Sequence, residues 1–257
     1  MIKNFLRKIK HEVLRPKIII ETIYNTYSQA GEDAVLSFLL ADKKITAISY
    51  LDIGTNIPDW GNNTYLLYTK GNTGVCIEAD ITLIPHIQAI RPKDKVINVG
   101  IAASEEMEAD FYIFNIKGMS TFDKAEADKR EAYGTFKVTE TVKVPLTNIN
   151  KIIQENYVTY PGFLSIDIEG LDLNVLKCLD YNKYPIPIIC VETCTYSENH
   201  IRHKDHSISS FLNTMGYEVY ADTYINTIFV NKIWFYNNKN DNTFCGINEA
   251  EILTEIN

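Results

Sequence analysis

No stretch of the 257-residue sequence approaches the ~20 consecutive apolar residues that a membrane-spanning helix requires; the longest apolar runs lie at Ile18 to Ile20 and around Pro187 between Ile186 and Val191. The chain also lacks the charged start, apolar stretch and small-residue cleavage site of a secretory signal, and its five cysteines are an odd number without framework spacing. A reducing, cytoplasmic setting is therefore expected. Basic residues are outnumbered, 25 Lys and Arg against 33 Asp and Glu, for a formal net charge of −8. Neutralising phosphates over a broad face needs clustered cations, so nucleic acid is not an expected partner. Twelve glycines and eight prolines without a period exclude a collagen-like chain, while 46% apolar and 11% aromatic residues exclude disorder. The length suits one large domain with additions.

Charge is unevenly placed. Residues 1 to 17 hold Lys3, Arg7, Lys8, Lys10, Arg15 and Lys17 against the single acid Glu12, and Ile2, Phe5, Leu6, Ile9 and Val13 follow helical spacing. Such a segment can lie on an anionic membrane surface, at the inner face of the membrane, or dock on its own domain with a solvated outer face. Arg15-Pro16 marks its expected end, since the residue before proline is pushed out of the helical region. The domain reading is an N-terminal helical extension over 1–42 and one catalytic-type domain over 43–257.

From residue 48 onward, strand and helix patterns alternate. Expected strands lie at 48–53, 75–77, 95–99, 163–168 and 186–192, with helices at 62–68, 81–90, 147–156, from Gly170, and at 207–215. Segments 110–114 and 137–146 alternate with period two and should be half exposed. An antiparallel pair, Tyr217 to Ala221 and Thr227 to Phe235, is expected at the end. Strand, helix, strand points to a parallel sheet, whose ligands bind beyond the carboxyl ends of the strands.

Three acidic signals fall at such ends. In Leu51-Asp52-Ile53-Gly54-Thr55-Asn56 the glycine permits a tight turn, and Asp52 can orient loop amides or accept from a ligand. Glu78, 26 positions later at the end of the next strand, can accept both hydroxyls of a ribose. After Gly54 the next glycine is Gly61, so the three-glycine spacing that cradles a pyrophosphate is absent and NAD is not expected. An adenosine compound without a diphosphate remains, and S-adenosylmethionine (SAM) fits. The third signal is Asp167-Ile168-Glu169-Gly170: the two carboxylates share a parity on a strand about to end, and their repulsion calls for a proton, a cation or a substrate hydroxyl. Glu192 ends the next strand. Asp167, Glu169 and Glu192 could alternatively ligate a hard divalent cation.

Cys190, Cys194, His200, His203 and His206 invite a zinc reading, but their spacing does not match the common structural patterns and Cys190 falls inside a buried strand. The three histidines read instead as loop residues near the mouth that could touch substrate. Cys76 and Cys178 read as core, and Cys245 has no argued partner.

Taken together, Tyr27-Ser28-Gln29-Ala30-Gly31-Glu32-Asp33, Tyr50 to Gly54, Asn62-Asn63-Thr64-Tyr65, Cys76 to Asp80, Met119 to Phe122, and Ser165 to Gly170 with Val175-Leu176 resemble the FkbM family of SAM-dependent methyltransferases. The resemblance spans residues 27 to 193. It implies a Rossmann-like class I methyltransferase fold, α/β, with a mostly parallel seven-stranded sheet and an antiparallel C-terminal strand. It implies O-methylation of a sugar or glycan intermediate, of surface polysaccharide type, or of another small molecule. Carried onto this sequence, Asp52, Gly54 and Thr55 line the methionine end, Asn56 is a further cofactor-binding residue, Glu78 holds the ribose, Ala79 and Asp80 lie by the adenine, and Gly100, Ile101 and Ala102 close the adenine slot. Gln29 is placed to fold over the cofactor or to cap the helix near Gly31. Asp167 is the first choice for base or substrate clamp, followed by Glu169 and Glu192. The opposing reading is a binding or assembly module that keeps the fold without catalysis. Pro58-Asp59-Trp60 departs from the family's glycine-rich first loop.

Overall fold

The computed structural model describes residues 26–102, 107–116, 118–168, 170–195 and 203–237. The basic stripe over 1–17, Glu169, His200 and Cys245 lie outside the described residues. Among those described, no helix is long and apolar enough to cross a membrane.

A seven-stranded sheet organises the chain. In chain order its strands are β1 (Tyr50–Ile53), β2 (Gly74–Ile77), β3 (Lys95–Ile97), β7 (Phe163–Ile166), β8 (Ile188–Glu192), β11 (Tyr217–Asp222) and β12 (Asn226–Asn231), and in space they run β3-β2-β1-β7-β8-β12-β11. The first five pair in parallel; β12 is antiparallel to both neighbours. The strand order reverses between β1 and β7, where such sheets bind ligands. Strands β1, β2 and β7 are buried along their whole length, as expected of continuous apolar runs covered on both faces.

Helices α1 (Glu32–Asp42) and α2 (Tyr65–Thr69) cover one face. Leu36 and Leu39 of α1 pack with Tyr50, Phe163, Ile188 and Ile228 in one core. The other face carries the larger core, in which Ile149, Ile152 and Ile153 of α5 (Ile149–Asn156) and Val175 and Leu176 of α6 (Asp172–Cys178) meet Leu51, Ile53, Leu164 and Ile166. Two further helices are α3 (Ile84–Ile90) and α7 (His206–Thr214).

Between β3 and α5 the chain builds a separate wall. Strands β4 (Gly100–Ile101), β5 (Glu108–Phe114) and β6 (Val138–Thr147) form a three-stranded sheet, with α4 (Lys124–Ala132) between β5 and β6. The segments read as half-exposed strands are thus one antiparallel pair, β5 with β6. Helix α4 is not visible as an apolar stripe because only Ala127 and Arg130 of its residues are buried; Asp123, accepting from the amides of Ala125 and Glu126, sets its start.

The end of the chain departs from the expected pair. The last strand stops at Asn231, whose side chain accepts from the amide of Trp234 and starts a short helix, α8 (Lys232–Tyr236), where a strand to Phe235 was expected. Apolar residues Ile233, Trp234 and Phe235 are contiguous, so the run reads equally as strand or helix until the cap is considered. A two-stranded pair, β9 (Cys194–Thr195) with β10 (His203–Lys204), completes the described elements.

Candidate active site

A cleft partly open to solvent lies over the carboxyl ends of β1, β2 and β7 and under the β4–β6 wall. Its floor begins with Gly54, which has φ +82 and lies so close to the Asp167 carbonyl oxygen that any Cβ would overlap it. The amides of Gly54 and Thr55 both donate to the carbonyl of Ile77, which folds the loop after β1 across the end of β2. Glycine is required here by both conformation and contact.

Glu78 stands at the end of β2. It is 6% exposed, and its two carboxylate oxygens accept from the amides of Asn56 (2.8 Å) and Asp80 (2.8 Å). Burial pushes its carboxyl up to about 7 despite those bonds. Fixed in this way, each oxygen still has a lone pair to offer a hydroxyl donor. Asp80 is instead occupied with its own turn, accepting from the amide and hydroxyl of Thr82. Asn98 donates to the carbonyls of Glu78 and Ala79 and holds the end of β2 against β3.

Beneath β1 lies a polar network that sequence reasoning missed. Arg91 is fully buried; it donates to Asp52 (3.3 Å), Asn62 (3.3 Å), Thr64 (2.7 Å) and Asp94 (2.8 Å). Asp52 also accepts from Asn62 and Thr64, and Asp94 from Tyr50 and the amide of Gly74. Burial raises the Asp94 carboxyl even beside the guanidinium. Asp52 therefore lines the cleft, yet one of its oxygens is committed to the scaffold. In the sequence, Arg91-Pro92-Lys93-Asp94 looks like a charged surface turn, and only the apolar strands on either side hint that its ends are enclosed.

On β7, Ser165 pairs with Asp52 in register, so both face the same side, and Asp167 comes next with the same parity. Asp172, 4% exposed, accepts from the amides of Ile168 and Gly170 and so holds the turn that carries Asp167. In the sequence, Asp172 reads as the acid that follows the Asp167 to Gly170 motif, without this task being assigned to it. Glu192 ends β8 and accepts from the Cys194 thiol (3.7 Å); it is not among the residues lining the cleft.

The far wall comprises Val99, Gly100, Ile101, Phe111, Gly118 and Ser120 to Phe122. A Cβ on Gly100 would stand 2.5 Å from the Phe122 ring, so the slot between them depends on that glycine. Ala102 pairs with Thr147 beyond the cleft. Gln29 and the 74% exposed Trp60 stand at the rim. The loop histidines are not brought in: His203 is paired in the β9–β10 strands and His206 opens α7, both exposed and outside the lining. Among the described residues no group of three or more His, Cys, Asp or Glu side chains is gathered to hold a metal ion.

A nucleoside with a cationic tail suits this cleft. It has a doubly fixed carboxylate one strand from a glycine turn, a slot that a single Cβ would narrow, and two buried amide oxygens, Asn56 Oδ1 and Asn63 Oδ1, without partners. Fold and site together define a Rossmann-like nucleoside-binding domain. The sequence matches the methyltransferase FkbM domain family over residues 52–219, and the chain belongs to that family, whose cofactor is SAM. No curated protein matches it significantly. Among solved structures it resembles a TehB-like SAM-dependent methyltransferase from Corynebacterium glutamicum ATCC 13032 Kitasato, at 9% identity over 90% of this chain and 97% of that one, with a TM-score of 0.37. That likeness is too slight to bear on function.

Proposed function

We propose that the chain transfers the methyl group of SAM to a hydroxyl of a sugar or glycan intermediate. The observation that carries this reading is the character of the lining: Asp52, Glu78, Asp80 and Asp167 stand around the cleft, and no Lys, Arg or His does among the described lining residues. An acidic acceptor is disfavoured in such a field, whereas a polyol brings the donors that carboxylates need. Trp60 at the rim offers an amphipathic ring against which a sugar can lie.

Bound SAM supplies a methyl group on a cationic sulfur. Glu78 orients the ribose, and the Gly54 turn lets the backbone approach the methionine end. Asp167 clamps the acceptor hydroxyl and takes its proton as the carbon–oxygen bond forms. Glu169 is the next candidate for that proton; Glu192, outside the cleft lining, is not. Phe111 and Phe122 keep water from the slot, and holding the two reactants in line supplies much of the rate.

The test is incubation of the full chain with SAM and a panel of free sugars, nucleotide sugars and oligosaccharides, read by mass spectrometry. A single methyl on a sugar hydroxyl is expected. Asp167→Asn should cut turnover by roughly 10²-fold or more while leaving S-adenosylhomocysteine affinity intact. Methylation confined to amines or carboxylates, or full turnover in Asp167→Asn, would overturn the proposal. The basic stripe over 1–17 supports a place at the membrane face where glycans are assembled. Removing residues 1–14 should then weaken binding to anionic vesicles and leave cofactor affinity unchanged.

A further inference from the structure

Asn63 lies between the loop after β1 and helix α2. It is 6% exposed and lines the cleft; its Nδ2 donates to Ser165 Oγ (3.3 Å), and its Oδ1 is buried without a partner. A buried amide oxygen without a partner is costly, so its retention in a residue that lines the cleft calls for a donor that arrives with a ligand.

The position of Asn63 identifies the donor. Strand order runs β3-β2-β1-β7, with the far slot at Val99 to Ile101 beyond β3, Glu78 on β2 and Ser165 on β7. Two strand spacings of about 4.8 Å separate the ends of β2 and β7, the direction in which the homocysteine tail must run once the ribose is on Glu78. The other orphan oxygen, on Asn56, belongs to the ribose end, because the Asn56 amide is bonded to Glu78 itself. The tail carries a carboxylate, which has no proton to give, and an ammonium, which has three. With Asp52 and Asp167 also lining this end, and no cationic lining residue among those described, the surroundings favour the ammonium.

We propose that Asn63 Oδ1 accepts a hydrogen bond from the α-ammonium of the cofactor, held in place by the bond between Asn63 and Ser165. This rests on the SAM reading of the cleft and assigns one atom of it. It makes Asn63 a sensor of the amino-acid end, distinct from Glu78, which reads the ribose.

Calorimetric titration of the full chain separates the two. The probes are S-adenosylhomocysteine and the same thioether with a butanoate tail that lacks the α-amino group. In the unaltered protein the amino compound should bind roughly 10-fold or more tighter. Asn63→Ala should bring that ratio down to about 2-fold, as expected once the charge-assisted bond is lost, while the butanoate compound binds as before. Asn63→Asp is nearly isosteric, and the Ser165 hydroxyl can donate to it in place of accepting; it should widen the ratio by roughly 10-fold. A ratio that stays at the unaltered value in both variants would overturn the assignment, as would a ratio near one in the unaltered protein. Equal weakening of both compounds in both variants would also overturn it, since a merely structural residue acts in that way. Failure of both compounds to bind the unaltered chain would instead refute the cofactor reading, and this inference with it.

Discussion

On one wall of the cleft, the ends of β1, β2 and β7 are tied together by buried polar groups. Arg91 joins Asp52, Asn62, Thr64 and Asp94, and Asp172 holds the turn after β7. The opposite wall, built on β4, β5, β6 and α4, meets the cleft with Phe111, Phe122 and small residues and rests on its own small cores, one formed by Phe114, Ala127 and Phe136. The first wall is fixed by groups that cannot be removed singly, because each loss leaves another buried charge or donor unpaired. The second meets the cleft through apolar side chains, which can shift by fractions of an ångström; its buried cation, Arg130, does not line the cleft and donates instead to the Met119 carbonyl and Glu126. Changes to the first should therefore cost folding and binding together, whereas changes to the second should cost binding with little loss of stability.

The largest effect should come from Gly54→Ala. Its Cβ would overlap the Asp167 carbonyl at a positive φ, so thermal unfolding should show a loss of several kcal/mol, above the ~1–3 kcal/mol of backbone strain alone. Arg91→Met comes next: Asp52 and Asp94 would be left buried without their cation, at a cost of about 3–5 kcal/mol. At roughly 2–4 °C per kcal/mol in a chain of this size, the melting temperature should fall by about 6–20 °C. A fall of only a degree or two would show that the network is not what holds this wall. Gly100→Ala sharpens the comparison from the other side. Phe122 can swing away, so the melting temperature should change little, yet S-adenosylhomocysteine affinity should drop several-fold as the slot narrows. Equal damage to stability at Gly100 and Arg91 would erase the distinction between the walls.

The smallest effect is a pH dependence of the first wall. Glu78 stands at about 7, above its usual 4.5, because burial penalises its charged form. A carboxyl raised on folding favours the folded state most at low pH, and that contribution is lost as pH rises from the ordinary carboxylate range through about 7. Hydroxyls donating to the carboxylate need the ionised form, so cofactor binding should release a proton. Affinity should thus rise with pH up to about 7 and then level, and in Glu78→Gln that slope should disappear. Calorimetry in buffers of different ionisation enthalpy measures the proton directly.

The first wall was legible where its chemistry coincides with strand ends. An apolar run closing on Asp52-Ile53-Gly54, another closing on Glu78 and a third on Asp167 set both the parallel sheet and the acids that line the cleft, because strand period and burial dictate which side chains reach the open edge of the sheet. Arg91 was not legible. Its four partners come from three separate stretches of chain, and nothing local to Arg91-Pro92-Lys93-Asp94 distinguishes a buried guanidinium from a solvated one. On the second wall, the period-two pattern of 138–144 announced a half-exposed strand, but its pairing with β5 is non-local, and the charged helix α4 carries no apolar stripe. The histidines drew attention for their chemistry alone; the β9–β10 pair and the Asp205 cap of α7 hold His203 and His206 away from the cleft.

The most direct test of the central claim, that this cleft is a SAM site read through Glu78, is titration of the unaltered chain and of Glu78→Ala with S-adenosylhomocysteine at pH 8. The account predicts saturable binding at one site per chain, weakened roughly 10- to 100-fold in the variant. Absence of binding to the unaltered chain, or equal affinity in the two, would contradict it.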